Sequence, residues 1–93
     1  MIISWKCTDS KTIFIGEYSN KFPNDIQRKA RQKLRMIDSA IKIDDLKVPP
    51  GNRLHKLTGG RKGQYSISIN DQWRICFKWK DGNTYDVEIV DYH

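Results

Sequence analysis

The sequence predicts an α+β fold: an N-terminal strand, then two to three helices packed on one face of a small, mainly antiparallel sheet. Three observations carry this. Tyr65, Ile67 and Ile69 alternate with polar neighbours, and Trp73, Ile75, Phe77 and Trp79 repeat the alternation after a turn at Asn70-Asp71, the period of strands with one buried face. Ile26, Ala30, Leu34, Ile37 and Ile41 step by four, four, three and four, which draws one apolar stripe along a helix. The helical segments come before the run of strands rather than between them, so the helices gather on one side of the sheet.

Each element has its own warrant. Ile2–Cys7 is rich in residues that suit a pleated surface. Thr8, Asp9 and Ser10 are N-cap candidates for a short helix whose apolar side is Ile13, Phe14 and Tyr18. Asn20–Pro23 breaks it, and Pro23 suits the first turn of a longer helix over Pro23–Ala40, with Asp25 beside its positive end. Ile43–Lys47 adds a helical turn, which Pro49-Pro50-Gly51-Asn52 stops. Arg53–Leu57 then reads as a strand and Thr58–Gly63 as a mobile basic loop. The turn Lys80-Asp81-Gly82-Asn83 leads into a last strand, Thr84–Val90, with Tyr85, Val87 and Ile89 facing one way. The far side of the sheet is expected to be free.

Length and charge bound the function. A chain of 93 residues is expected to form one domain, 1–93, and to bury only about 60–65% of its unfolded surface, so function belongs on the surface. The net charge of +6 favours a polyanionic partner such as nucleic acid, an anionic membrane or an acidic protein. No apolar run approaches the roughly 20 residues of a membrane span and no signal-peptide core is present, which gives the expectation of a cytoplasmic protein with no membrane partner. Cys7 and Cys76 lack neighbours at metal-ligand spacing and read as two small strand residues; neither metal nor cofactor is expected.

The free face would carry Arg74 and Lys78 by alternation, with Arg61-Lys62 on the bordering loop, His55 on the preceding strand and Tyr92-His93 just past the last one. Arginine offers a planar fork of donors to phosphate, and histidine exchanges protons near neutral pH, so the set suits phosphodiester chemistry. Ordinary readings stand beside these. His55 could be a hydrogen-bonded strand residue, Arg74 a cation–π partner of tryptophan, and the Tyr92-His93 end a frayed terminus. Arg28, Lys29, Arg31, Lys33 and Arg35 form either a phosphate-tracking helix surface or a solvated face.

The runs Pro50–Leu54, Gly60–Ile67 and Asn70–Phe77, closing on Val87–His93, resemble the HigB-type toxins, or plasmid-maintenance killer proteins, of the RelE/ParE superfamily. The likeness covers nearly the whole chain and is densest from Pro49 onward. It implies a RelE-like, microbial-RNase-like fold and the toxin of a type II toxin-antitoxin system. The implied activity is a ribosome-dependent endonuclease that cuts mRNA in the A site without metal, with the substrate's own 2′-hydroxyl as nucleophile. Matching positions make His55, Arg74, Tyr92 and His93 the catalytic set. Lys56, Arg61, Lys62, Asn70 and Asp91 are the RNA-binding set, and Arg28, Lys29, Arg31, Lys33 and Arg35 the ribosome contacts.

Two cations of the family pattern are absent, since Thr58 stands where a lysine is expected and Asn70 where a second arginine is. Arg61, Lys62 or Lys56 are the candidates to replace them. The resemblance further implies a helix-turn-helix antitoxin of HigA type, with operator DNA bound only through the toxin-antitoxin complex. The alternatives are a non-catalytic ParE-like inhibitor of DNA gyrase and a basic RNA-binding module without toxicity.

Overall fold

The two helices form where the capping residues and the apolar stripe lie, in a computed structural model that describes residues 1–91. Helix α1 spans Thr8–Phe14 and helix α2 spans Asn24–Ser39. Ile26, Ala30, Leu34 and Ile37 are buried along α2 as the stripe predicts. Ile41, its expected fifth member, is exposed, because Ala40 turns to extended backbone and ends the helix before the stripe can continue. Tyr18 is likewise exposed rather than on the apolar side of α1. Gly16, with φ of 95°, closes that helix first.

Four antiparallel strands follow: β1 His55–Lys56, β2 Gln64–Ser68, β3 Trp73–Lys80 and β4 Asn83–Asp91, in the spatial order β1-β2-β3-β4. Strand β1 is much shorter than the expected Arg53–Leu57. Arg53 takes a left-handed backbone, φ 47° and ψ 54°, where it ends the helical turn Pro50–Asn52, so pairing starts only at His55. The N-terminal segment does not form a full strand. It lies parallel to β4 through two isolated bridges, Ile2 with Thr84 and Trp5 with Val87.

Register decides which side chains share a face. Ile67, Ile75 and Ile89 stand side by side across three strands, and Tyr65 faces Phe77 with ring centroids 6.3 Å apart. Ile67, Ile75, Phe77, Val87 and Ile89 pack with the α2 stripe and Ile13 into one core. Helices on one sheet face are thus as expected. Tyr85 is not where simple alternation puts it. A bulge lets Cys76 face Glu88 while Lys78 faces Tyr85, and the extra residue sits beside Asp86, whose φ is 53°. Tyr85 therefore shares a face with Lys78, opposite to Val87 and Ile89.

The far face is not free either. Ser66 and Cys76 on it are fully buried. Arg61 reaches over from the short helical turn Gly59–Arg61, 2.9 Å from Glu88 and 3.3 Å from Gln64, so the expected mobile basic loop is tethered there. Burial raises the thiol pKa of Cys76, a shift opposed by the charge of Arg61 and augmented by that of Glu88. At Cys7 burial also raises the thiol, but hydrogen bonds from Ser10 and Asp9 and the charge of Lys21 outweigh it and leave the pKa lowered. The two cysteines are free thiols.

One polar tie holds α2 to the segment that leads into β1. Asn52 is fully buried, its amide donates to the carbonyls of Leu46 at 3.2 Å and Val48 at 3.3 Å, and its oxygen accepts from the Lys33 ammonium. Lys33 is therefore a buried structural residue, and its burial, followed by the charge of Lys29, holds its pKa below the ordinary lysine value. That buried bond takes Lys33 off the exposed basic side of the helix. Arg31 is half-buried and donates to the Ile13 carbonyl at 2.9 Å, while Arg28, Lys29 and Arg35 are exposed.

Candidate active site

The helical turn Pro50–Asn52, the start of β1 and the start of β3 meet at the sheet edge. There Arg53, Leu54, His55 and Arg74 line an open cleft of about 390 Å³. The sequence places these groups in reach of one another for simple reasons. Buried Asn52 anchors the turn, the left-handed Arg53 redirects the chain, and pairing of His55 with Ser66 fixes the histidine on the face that Arg74 also uses.

Arg74 is oriented rather than loose. Its Nε donates to Ser66 Oγ at 2.9 Å and its terminal nitrogen donates to the Arg53 carbonyl at 2.8 Å. Both anchors hold the plane of the guanidinium at the cleft wall. His55 is exposed at this cleft, as a proton-transfer group would have to be. The guanidinium of Arg53 lies 3.8 Å from the carboxylate of Asp71, a fully solvated pair worth little. The cleft thus holds two guanidinium groups and an imidazole, a set able to bind a phosphodiester and exchange protons beside it.

The remaining expected site residues distribute unevenly. Asp91 ends β4 opposite Trp73 and accepts a hydrogen bond from Gln72 at 3.2 Å. The Asn70 side-chain oxygen is used up locally, accepting from the backbone of Gln72 and Trp73 at 2.9 and 2.8 Å to form the turn between β2 and β3. Lys56 and Lys62 are exposed, and Arg61 is bound to Glu88 instead of lining the cleft. Tyr92 and His93 lie outside the described residues. Arg53, which lines the cleft, and Ser66, which orients Arg74, were not among the expected residues. The turn Pro-Pro-Gly-Asn immediately before Arg53 was the available signal, since it delivers the next side chain to the edge where β1 begins.

Among the described residues no group of three histidine, cysteine or acidic side chains is placed to hold a metal ion. No helix there is long and apolar enough to cross a membrane.

Helices on one face of a four-stranded antiparallel sheet, with an arginine- and histidine-lined cleft at its edge, make a small α+β fold with one candidate site for phosphate chemistry. The fold of the YoeB-YefM complex from Staphylococcus aureus matches the chain with a TM-score of 0.58 at 19% identity, over 100% of this chain and 95% of that one. Residues 11–93 match the family described as "RelE-like toxin of type II toxin-antitoxin system HigB". Toxin HigB-1 of Vibrio cholerae serotype O1 is 44% identical over 66 residues, covering 68% of this chain and 70% of its own. Endoribonuclease HigB of Proteus vulgaris is 32% identical over 93 residues, the full length of both chains. The chain belongs to the HigB family of type II toxin-antitoxin toxins. These relatives support the ribonuclease toxin over the gyrase-inhibitor alternative.

Proposed function

We propose that this toxin is an endoribonuclease that cuts mRNA in the ribosomal A site and so stops translation. The observation that carries the reading is the cleft in which Arg74, held by Ser66 and the Arg53 carbonyl, stands with exposed His55. Full-length similarity to Endoribonuclease HigB of Proteus vulgaris supports it. The 2′-hydroxyl attacks the adjacent phosphorus while the bond to the 5′-oxygen breaks, giving a 2′,3′-cyclic phosphate and a 5′-hydroxyl end. A base takes the 2′ proton and an acid supplies one to the leaving oxygen, so neither metal nor cofactor enters the balance. The need for a 2′-hydroxyl selects RNA over DNA.

In this reading His93 is the general acid or base, Tyr92 and His55 position or transfer protons, and Arg74 stabilises charge growing on the phosphate. Asp91 orients the groups beside it. Lys56 and Lys62 bind RNA around the cleft, and Arg53 supplies the second cation that Thr58 and Asn70 do not.

Primer extension on a defined mRNA, with and without 70S ribosomes, tests the activity. Cuts that arise only with ribosomes are the expected result; growth arrest without any cut would reject it. The exposed cations Arg28, Lys29 and Arg35 of α2 serve as ribosomal RNA contacts. Reversing the charge of two of them should weaken co-sedimentation with ribosomes most at low salt and by less as salt rises, because each lost phosphate contact removes its share of counterion release. Unchanged co-sedimentation would remove the helix from the interface.

The antitoxin is a helix-turn-helix protein of HigA type, and operator DNA is bound through the complex of the two. The toxin acts in the cytoplasm, where its ribosomal substrate is.

A further inference from the structure

A second open cavity, of about 490 Å³, lies further along the sheet and is lined by Gly63, Lys78, Trp79, Lys80 and Tyr85. Its composition differs from that of the cleft. Among the described residues it pairs aromatic surface with two lysines and has no histidine or arginine in its lining. We propose that this cavity is a subsite for a single-stranded RNA segment flanking the cut, with a base stacked on Tyr85 and phosphates held by Lys78 and Lys80. The proposal rests on the ribonuclease reading of the neighbouring cleft for its substrate class.

The backbone shows that this aromatic is placed there at a cost. In unbroken alternation Tyr85 would share a face with Val87 and Ile89, inside the core. The extra residue at the bulge turns it to the opposite face, beside Lys78. Asp86 takes a left-handed backbone, φ 53°, to make that turn, and a strained residue whose effect is to re-aim a neighbour marks a placed side chain. The strain is held from two sides. Asp86 is 3.3 Å from the Lys78 ammonium, its backbone N–H donates to Ser4 Oγ at 2.9 Å, and the same hydroxyl lies 3.4 Å from its carboxylate. The carboxylate at the cavity's edge is thereby paired with Lys78, and a phosphate bound there shares that lysine with it.

Geometry links the cavity to the cleft. Arg74 and Lys78 project from the same face of β3, four residues apart, which an extended strand spans in about 13 Å. One RNA strand can therefore touch both. Aromatic platforms with adjacent cations bind single-stranded nucleic acid with little regard for sequence, because every base presents a π-face. The subsite would add affinity without fixing a codon.

Titration of the protein with a single-stranded RNA hexamer methylated at every 2′-oxygen, so that it cannot be cut, followed by amide NMR and fluorescence anisotropy, tests this in the absence of ribosomes. The expected result is perturbation of Gly63, Lys78, Lys80 and Tyr85 amides and binding weakened about tenfold by Tyr85→Ala, with Tyr85→Phe restoring it, within the range for a lost base stack. Binding confined to the Arg53, His55 and Arg74 cleft, or unaltered by Tyr85→Ala, overturns the subsite. Absence of any RNA binding overturns it as well. Binding at Tyr85 by a protein that fails to cut mRNA on ribosomes upholds the subsite and rejects the endonuclease reading instead.

Discussion

Replacing Arg74 with alanine should lower ribosome-dependent mRNA cleavage about 10²–10³-fold, the effect of losing one donor to transition-state charge. Two features make Arg74 the residue to test. It is half-buried, so its charge acts in surroundings drier than the solvated lysines around it. It is also fixed by Ser66 Oγ and the Arg53 carbonyl, so the fork is oriented before substrate arrives. Arg74→Lys should recover only part of the activity, because an ammonium keeps the charge and loses the planar fork. The readout is the rate at which primer-extension stops appear, with a thermal melt on each variant to show that the fold persists. A loss smaller than tenfold in a folded Arg74→Ala protein would remove the residue from the phosphate site.

Phe77→Ala should destabilise the fold by about 3–5 kcal/mol, the usual cost of deleting a buried aromatic. Phe77 has no exposed surface, lies against Tyr65 and occupies the sheet face on which the α2 stripe packs. A small domain has only about 5–15 kcal/mol of total stability, so the variant should melt at much lower urea or fail to fold at physiological temperature. Phe77→Leu, which refills part of the space, should cost less. A urea midpoint for Phe77→Ala close to that of the parent would mean that the core collapses around the gap.

What could be read from the sequence was periodic. The α2 stripe and the alternation through Trp73–Trp79 were legible because burial leaves a repeating pattern, and they placed the helices, the hairpin and the face of Arg74 correctly. The misses were breaks in a period. Tyr85 was placed on one face with Val87 and Ile89 because nothing in Tyr85-Asp86-Val87 announces a bulge, although aspartate tolerates a left-handed backbone better than most residues. Lys33 was read on chemical type, with its basic neighbours, as part of a phosphate-tracking or solvated helix face. Its spacing from Ala30 and Ile37 had already put it beside the buried stripe, where Asn52 receives it.

At the candidate site, His55 and Arg74 were expected by resemblance, and the structure brings them to one cleft. Arg53 was not, since its position depends on a backbone angle, φ 47°, that a non-glycine residue rarely adopts. The coverage of the outer sheet face was equally hidden. It depends on an ion pair between residues 27 apart in sequence, Arg61 and Glu88, which no local pattern encodes.

The parallel bridges of Ile2 and Trp5 to Thr84 and Val87 bear on the order in which the molecule can come into being. A ribosome delivers the first of these partners long before the second, so that edge of the sheet stays open until β4 has been made. Contacts of such long sequence separation are slow to close. A nascent chain halted before β4 lacks the neighbour of β3 on that side and the partner of its own beginning.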